Sequence, residues 1–129
     1  MAQVKIYGLA SHLGNKRQLI SDAVHESAMS AYGLPTEKRF HRFIALAEED
    51  FVYPQDRTAA YTIIEFSTFE GRSAETKKAL IRELFVNLEQ IAGVSPQDTE
   101  ITIFETPKMN WGIRGKPADE LALKYKVEV

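Results

Sequence analysis

The sequence predicts an α+β fold in which two β-α-β units in tandem form one four-stranded mixed sheet, with two helices on one of its faces. Each half of the chain holds a strand candidate, a helix with an apolar stripe and a second strand candidate. Both helices also stop in the same way, at Gly33–Pro35 and again, 60 residues later, at Gly93–Pro96. We therefore expect a single domain, residues 1–129, made of pseudo-repeats at about 1–58 and 59–129.

Three segments build the first unit. Val4–Tyr7 is a short strand candidate, and a turn over Ser11–Asn15 follows it, with Asn15 as the expected N-cap of a helix. Apolar residues at helical spacing predict that this helix covers Lys16–Tyr32. The glycine and proline that follow end it, because glycine adopts the left-handed conformation without steric cost and proline cannot continue a helix. Arg39–Leu46 is the second strand candidate.

The second unit carries the clearest local signals. Tyr61–Ser67 is rich in β-branched and aromatic residues, as a half-buried strand prefers. Ser73 can cap the next helix by accepting a hydrogen bond from an unpaired backbone N–H, and Gly93 should end that helix. Its apolar stripe is formed by residues four positions apart, Leu80, Leu84 and Leu88. Glu100–Glu105 is the last strand candidate of the pair of units.

Placing both helices on one face leaves the other face of the sheet uncovered. We expect apolar residues of Phe43–Leu46 and Ile101–Ile103 on that open face. A large exposed apolar surface usually marks an association site. The pattern therefore predicts an oligomer in which sheet faces pack on one another.

Three further segments lie outside the units. Glu48–Arg57 is acidic, then aromatic, then turn-like, which predicts a surface connection between the halves. Thr106–Pro117 is a loop punctuated by glycine and proline that holds the only tryptophan, and loops of this length are often functional. Leu123–Val129 alternates apolar and charged residues, which predicts a strand at an exposed edge or against a neighbouring subunit.

Composition excludes several classes of function. The 16 basic and 18 acidic residues give a net charge of −2 without a basic block, so we expect neither nucleic acid nor a membrane as a partner. No apolar run approaches the roughly 20 residues that span a bilayer, and a cytoplasmic location is expected. There is no cysteine, no phosphate-binding glycine loop, and no paired spacing among the three histidines. We therefore expect no metal and no cofactor.

Several motifs together resemble the tautomerase superfamily. They are Phe69–Leu80, Gly93–Asp98 and Asn110–Gly115, with weaker matches in the first half at Asp22–His25, Gly33–Pro35, Arg39–Phe40 and Glu49–Phe51. The resemblance covers almost the whole chain and is greatest to the long-chain branch with two fused β-α-β units, which includes malonate semialdehyde decarboxylase. It implies the four-stranded fold described above and a homotrimer.

The resemblance also implies an active site at the N-terminus of the chain. In that family the initiator methionine is removed and the exposed proline amine acts as a general base or acid, while arginines bind a substrate carboxylate. Here the proline position is Ala2, which is small enough that methionine removal is expected and a primary amine remains. Arg72 is the implied carboxylate clamp, and Arg39 is a candidate second ligand for the anion. Of the decarboxylase's remaining site positions, one arginine corresponds to Glu70 and the aspartate to Lys38.

The candidate site residues each have an ordinary structural alternative. Arg72 and Arg39 could be solvated residues at the ends of secondary structure elements. Trp111 could fill a junction between subunits, where Arg114 could bind an anion. With Lys38, these residues form the candidate substrate-binding set, and Ala2 with Arg72 the candidate catalytic pair.

Three functions remain open from the sequence. The first is an isomerase that moves a proton between carbon and oxygen in a small 2-oxo or enol carboxylate. The second is a catalytically inactive relative that keeps the trimer and serves as a binding or scaffold protein. The third, from the pattern of elements alone, is a ferredoxin-like α+β domain that dimerises through its sheet and binds a small molecule. We favour the first.

Overall fold

Four strands form the main sheet of the structure, a computed structural model that describes residues 2–121 and 127–129. The strands are β1 (Ala2–Leu9), β2 (His41–Leu46), β3 (Thr62–Phe69) and β4 (Thr99–Thr106). They lie in the order β2-β1-β3-β4. The outer pairs β1–β2 and β3–β4 are parallel, and the central pair β1–β3 is antiparallel. The predicted mixed sheet of two β-α-β units is therefore confirmed.

The second unit forms as the sequence predicts, because its caps are local. Helix α3 (Ala74–Ala92) starts after Ser73, whose hydroxyl accepts a hydrogen bond from the Thr76 N–H at 3.2 Å. It ends at Gly93, which has a φ of +69° and donates its N–H to carbonyls of the last turn. Leu80, Leu84 and Leu88 are fully buried, as their spacing predicted.

The first unit differs from the prediction at the start of its helix. The expected turn over Ser11–Asn15 is instead a short helix, α1 (Ala10–Leu13), followed by a 3-10 turn over Gly14–Lys16. Asn15 does not cap α2 (Arg17–Tyr32), and that expectation was wrong, because the residue before the helix is Lys16 and no side chain makes a cap bond. Lys16 instead donates from Nζ to the Ala92 carbonyl at 3.0 Å, a contact from the other unit that the local sequence cannot reveal.

Both helices pack on one face of the sheet, and the core lies between them and alternate residues of each strand. Phe43, Ile101 and Ile103 pack against this core, so our placing of them on the open face was wrong. The register explains the error. Ile101 lies beside Ile64 and Ile103 beside Phe66, both fully buried, and side chains alternate between faces along a strand.

The open face is mixed in character. By the same alternation it carries Tyr7, Ile44, Glu65 and Phe104. Tyr7 donates its hydroxyl to Glu65 Oε1 at 3.1 Å, and Phe104 is 50% exposed. This face therefore keeps apolar groups available for association, but places charged groups between them.

The loop after β4 has structure of its own. It contains a two-stranded hairpin, β5 (Gly112–Ile113) and β6 (Lys116–Pro117). The Trp111 ring lies edge-on to Phe69 with centroids 5.0 Å apart, beside a small buried cluster that includes Ala118 and Val127. The predicted C-terminal strand falls largely on residues 122–126, outside the described part of the chain, and residues 127–129 are in no strand. Among the helices that the structure describes, none combines the length and hydropathy needed to cross a bilayer.

Candidate active site

One end of the main sheet gathers residues that are distant in sequence. Since β1 runs antiparallel to β3, the start of β1 lies beside the end of β3, and Ala2 is opposite Thr68. Since β4 runs parallel to β3, Glu105 near its end is also beside Thr68. Ala2 is 6% exposed and belongs to the core cluster, as does Tyr32 at the end of α2. The backbone order of the fold thus places the N-terminal strand in a buried, partly polar corner.

Arg72 enters this corner three residues after β3 and is only 5% exposed. Its guanidinium carbon lies 4.0 Å from the centroid of the Tyr32 ring, a cation–π contact. Nη1 donates to the Phe69 carbonyl at 3.3 Å. Nε and Nη2 have no hydrogen-bond partner among the described residues. Burial lowers the pKa of Arg72, and the negative charge of Glu105 partly offsets this effect. A guanidinium group keeps its positive charge in proteins.

The two nitrogens without partners lie on the same edge of the guanidinium group. An Nε–H and the neighbouring Nη–H form the fork that binds both oxygens of a carboxylate. The bond to Phe69 occupies the third nitrogen and so fixes the orientation of the fork. Arg72 therefore has the orientation, charge and burial of an anion clamp.

Arg39, the other candidate arginine, lies in a different cluster. Its Nη1 donates to Asp22 Oδ1 at 2.6 Å and to Ser21 Oγ at 3.2 Å. The hydrogen bond from Arg39 is the main cause that lowers the pKa of Asp22. Ser21 also bonds His41 Nδ1 at 2.7 Å. The positive charge of Arg39 is thus already paired, between α2 and the start of β2.

The remaining candidate residues share one surface cleft. Lys38, Trp111 and Arg114 line a cavity of about 390 Å³, together with Gln3 and Phe40. The backbone places Arg114 there in the tight turn of the β5–β6 hairpin, where it has a φ of +51°. Gln3 follows Ala2 on β1 and points to the opposite face of the sheet. Within one protomer, the structure thus separates this cationic cleft from the corner that holds Arg72.

Sequence reasoning missed two residues of the buried corner. Tyr32 was treated only as the last residue of a helix, and Glu105 as the end of a strand. Glu105 Oε1 accepts a hydrogen bond from Lys77 Nζ at 2.9 Å, while Oε2 has no partner among the described residues. Burial raises the pKa of Tyr32 to about 12. The only sequence signal that Tyr32 offers is a hydroxyl-bearing aromatic residue at the end of the buried face of α2.

No group of three or more histidine, aspartate or glutamate residues in 2–121 and 127–129 is arranged to hold a metal ion. The corner itself holds an arginine fork, a neutral phenol and a carboxylate, at the end of the sheet where β1 begins with Ala2. These groups suit the binding of a small anion and the stabilisation of negative charge on oxygen.

Comparisons with known proteins bear on the family and the fold of the chain. A family model for tautomerase enzymes matches residues 38–114, more than half of the chain. A 2-hydroxymuconate tautomerase of Comamonas testosteroni is 42% identical over 52 residues, which are 40% of this chain and 82% of that protein. Two solved structures share the fold over most of both chains. A malonate semialdehyde decarboxylase inhibited by 3-bromopropiolate has a TM-score of 0.82 and 26% identity, covering 94% of this chain and 98% of that one.

A fused 4-OT that forms an asymmetric trimer has a TM-score of 0.78 and 24% identity, and covers 91% of this chain and 96% of that one. The match of the family model extends across the segment that contains Arg72. That match and the identity to the muconate tautomerase together establish that this chain belongs to the tautomerase family.

Proposed function

We propose that the chain catalyses keto–enol isomerisation of a small 2-oxo or enol carboxylate. In this proposal, removal of Met1 exposes the amine of Ala2, which carries the proton to and from carbon. Arg72 binds the substrate carboxylate. The observation that carries the proposal is the buried Arg72 fork, whose Nε and Nη2 lack partners among the described residues, at the sheet end where β1 begins.

The chemistry follows from the properties of the two groups. An unperturbed α-amine titrates at about 7.7–8.0, and burial or a nearby cation lowers its pKa further. A neutral amine is then available as a general base near neutral pH. The enolate that forms on proton abstraction places negative charge on oxygen next to the carboxylate. Arg72, buried and held by Phe69, can stabilise that charge without reorganisation.

Arg39 and the cleft of Lys38, Trp111 and Arg114 enter the proposal as a second binding region. We propose that the working unit is a cytoplasmic homotrimer of single-domain subunits, in which the open sheet faces and this cleft meet neighbouring copies. The fused 4-OT trimer, which shares the fold, supports the assembly. The partly exposed Phe104 on the open face offers apolar surface for it. The substrate is a small molecule that bears a carboxylate.

The test is ketonisation of phenylenolpyruvate by protein whose intact mass shows loss of Met1. Arg72→Ala should lower the rate roughly 100-fold or more, since removal of one charge-stabilising donor costs that much in comparable sites. Arg72→Lys, which keeps the charge but not the fork, should recover only part of the rate. Arg17→Ala, an exposed arginine at the far end of α2, serves as the control and should leave turnover unchanged. An unchanged rate in Arg72→Ala, with the oligomer intact, would remove Arg72 from the mechanism.

A second candidate is a non-catalytic carboxylate-binding trimer. The observation in its favour is that Lys38 and Arg114 line an open cleft, whereas Arg72 is almost fully enclosed. A ligand can reach that cleft without entering the corner. Folded protein with a free Ala2 amine that binds phenylpyruvate but shows no turnover above solvent would favour this candidate.

A further inference from the structure

We propose that the hydroxyl of Tyr32 donates a hydrogen bond to the substrate in the Arg72 corner. This inference rests on the proposed isomerase function and deepens it, because it also specifies which ligand the corner accepts. The ligand carries a carboxylate for Arg72 and, on the neighbouring carbon, an enol oxygen that accepts from Tyr32 and directs its own hydrogen to Glu105. No covalent step is assigned to Tyr32.

In the described part of the chain, buried polar atoms without a hydrogen-bond partner are concentrated in the Arg72 corner. Across the described residues, five buried side-chain nitrogen or oxygen atoms lack a hydrogen-bond partner. Four of these belong to the corner, namely Tyr32 Oη, Arg72 Nε, Arg72 Nη2 and Glu105 Oε2. Buried polar groups in native proteins are nearly always paired. Their concentration at one place therefore indicates that this place is made to pair with a ligand.

The second line of support is the mutual placement of the groups. The Tyr32 ring lies against the guanidinium of Arg72, with 4.0 Å from the guanidinium carbon to the ring centroid. Tyr32 ends α2, and Gly33, at a φ of +65°, turns the chain away immediately after it. Glu105 follows Ile101 and Ile103 on the helix-covered face of β4. Its charge raises the pKa of both Tyr32 and Arg72.

The third line of support is the pattern of donors and acceptors. The Arg72 fork only donates, and the Glu105 carboxylate only accepts. Glu105 Oε1 is already bound by Lys77, which leaves Oε2 as the acceptor. Burial raises the pKa of Tyr32 to about 12, so the phenol stays neutral and keeps its hydrogen at working pH. A simple carboxylate would leave Glu105 unpaired, whereas a 2-hydroxy-2-enoate supplies both the charged acceptor and the hydroxyl donor.

The direct test is Tyr32→Phe, which removes the hydroxyl and keeps the ring against Arg72. We expect kcat for phenylenolpyruvate ketonisation to fall about 10-fold to 100-fold, as for loss of a hydrogen bond to a charged group, with a smaller change in KM. The melting temperature should not fall, because the hydroxyl has no partner among the described residues. A purely structural role of the hydroxyl would leave kcat unchanged.

The matched control is Tyr61→Phe. Tyr61 is also buried, but its hydroxyl donates to Glu100 at 2.9 Å at the opposite end of the sheet. Its loss should leave turnover unchanged. A second readout is the affinity for phenylpyruvate, measured by calorimetry, which Tyr32→Phe should weaken about 10-fold or more.

The outcomes separate this inference from the proposed function. If the wild type shows turnover and Tyr32→Phe has the same kcat, the role of Tyr32 is overturned and the isomerase proposal stands. If the wild type binds phenylpyruvate without turnover, and Tyr32→Phe weakens that binding, the isomerase proposal fails and the role of Tyr32 stands. If the wild type and Tyr32→Phe bind phenylpyruvate equally and neither shows turnover, both proposals are overturned. Both are also overturned if the wild type shows neither turnover nor binding.

Discussion

Acidification should destabilise the protein through His41. This side chain lies between α2 and the start of β2, where its Nδ1 bonds Ser21 Oγ at 2.7 Å. Arg39 donates a hydrogen bond to the same Ser21 oxygen and cannot accept one. The hydrogen of the Ser21 hydroxyl is therefore available to bond the neutral imidazole. Burial, together with the charges of Arg39 and His25, lowers the pKa of His41 to about 4, against the weaker opposing effect of Asp22.

The sign and size of the effect follow from this shift. Between pH 6.5 and about 4 the unfolded chain binds a proton at His41 that the folded protein does not, so the free energy of unfolding falls as pH falls. The slope is at most about 1.4 kcal/mol per pH unit, which gives a loss of about 2 kcal/mol between pH 7.5 and pH 5. Above pH 6.5 and below the folded pKa, His41 contributes no slope.

Urea unfolding at pH 7.5 and pH 5, at one fixed protein concentration, measures this loss. His41→Asn keeps an acceptor for Ser21 but cannot titrate, so it should remove most of the pH dependence. Burial also lowers the pKa of His12, which bonds Thr62 at 2.9 Å, and His12→Gln should remove part of the remaining slope. The reasoning is refuted if the wild type is equally stable at both pH values, or if His41→Asn retains the full wild-type loss.

Three further substitutions test the packing, each by urea unfolding at pH 7.5. Gly71→Ala should lower the free energy of unfolding by about 1–3 kcal/mol, because φ is +129° and the new Cβ would lie 3.2 Å from Val127 Cγ1. Gly112→Ala, which has open space around the new Cβ, is the control and should leave the stability nearly unchanged. Leu84→Ala, at a fully buried position between α3 and the sheet, should cost about 2–5 kcal/mol, and a cost below 1 would contradict the core described above. Ser73→Ala should cost about 1 kcal/mol through loss of the α3 cap, and no change would show that water replaces the serine.

The parts of the fold that could be predicted are those fixed by local chemistry. Ser73 and Gly93 define α3 because a cap and a left-handed residue act within one turn of the chain. The start of α2 could not be predicted, because Lys16 is held there by the Ala92 carbonyl from the other unit. The face of β4 was misassigned for a similar reason. Alternation indicates that Ile101 and Ile103 share a face, but only pairing with β3 decides which one.

The site could be predicted only where a motif carried it. Arg72 was singled out as a candidate because it lies in a motif between a strand and a helix cap. That Arg39 is paired with Asp22 depends on the packing of β2 against α2 and has no local signal. Tyr32 and Glu105 are 73 positions apart, and only the packing of α2 on the sheet brings the ends of α2 and β4 to the same corner. The backbone amine of Ala2 remains a prediction in its catalytic role.

The most direct test of the central claim is phenylenolpyruvate ketonisation before and after selective chemical blocking of the α-amine, on protein whose mass confirms that Met1 is absent. If Ala2 acts as the base beside Arg72, turnover should be well above the solvent rate and should disappear when the amine is blocked. Turnover that survives blocking, or folded protein with a free amine and no turnover, would contradict the account.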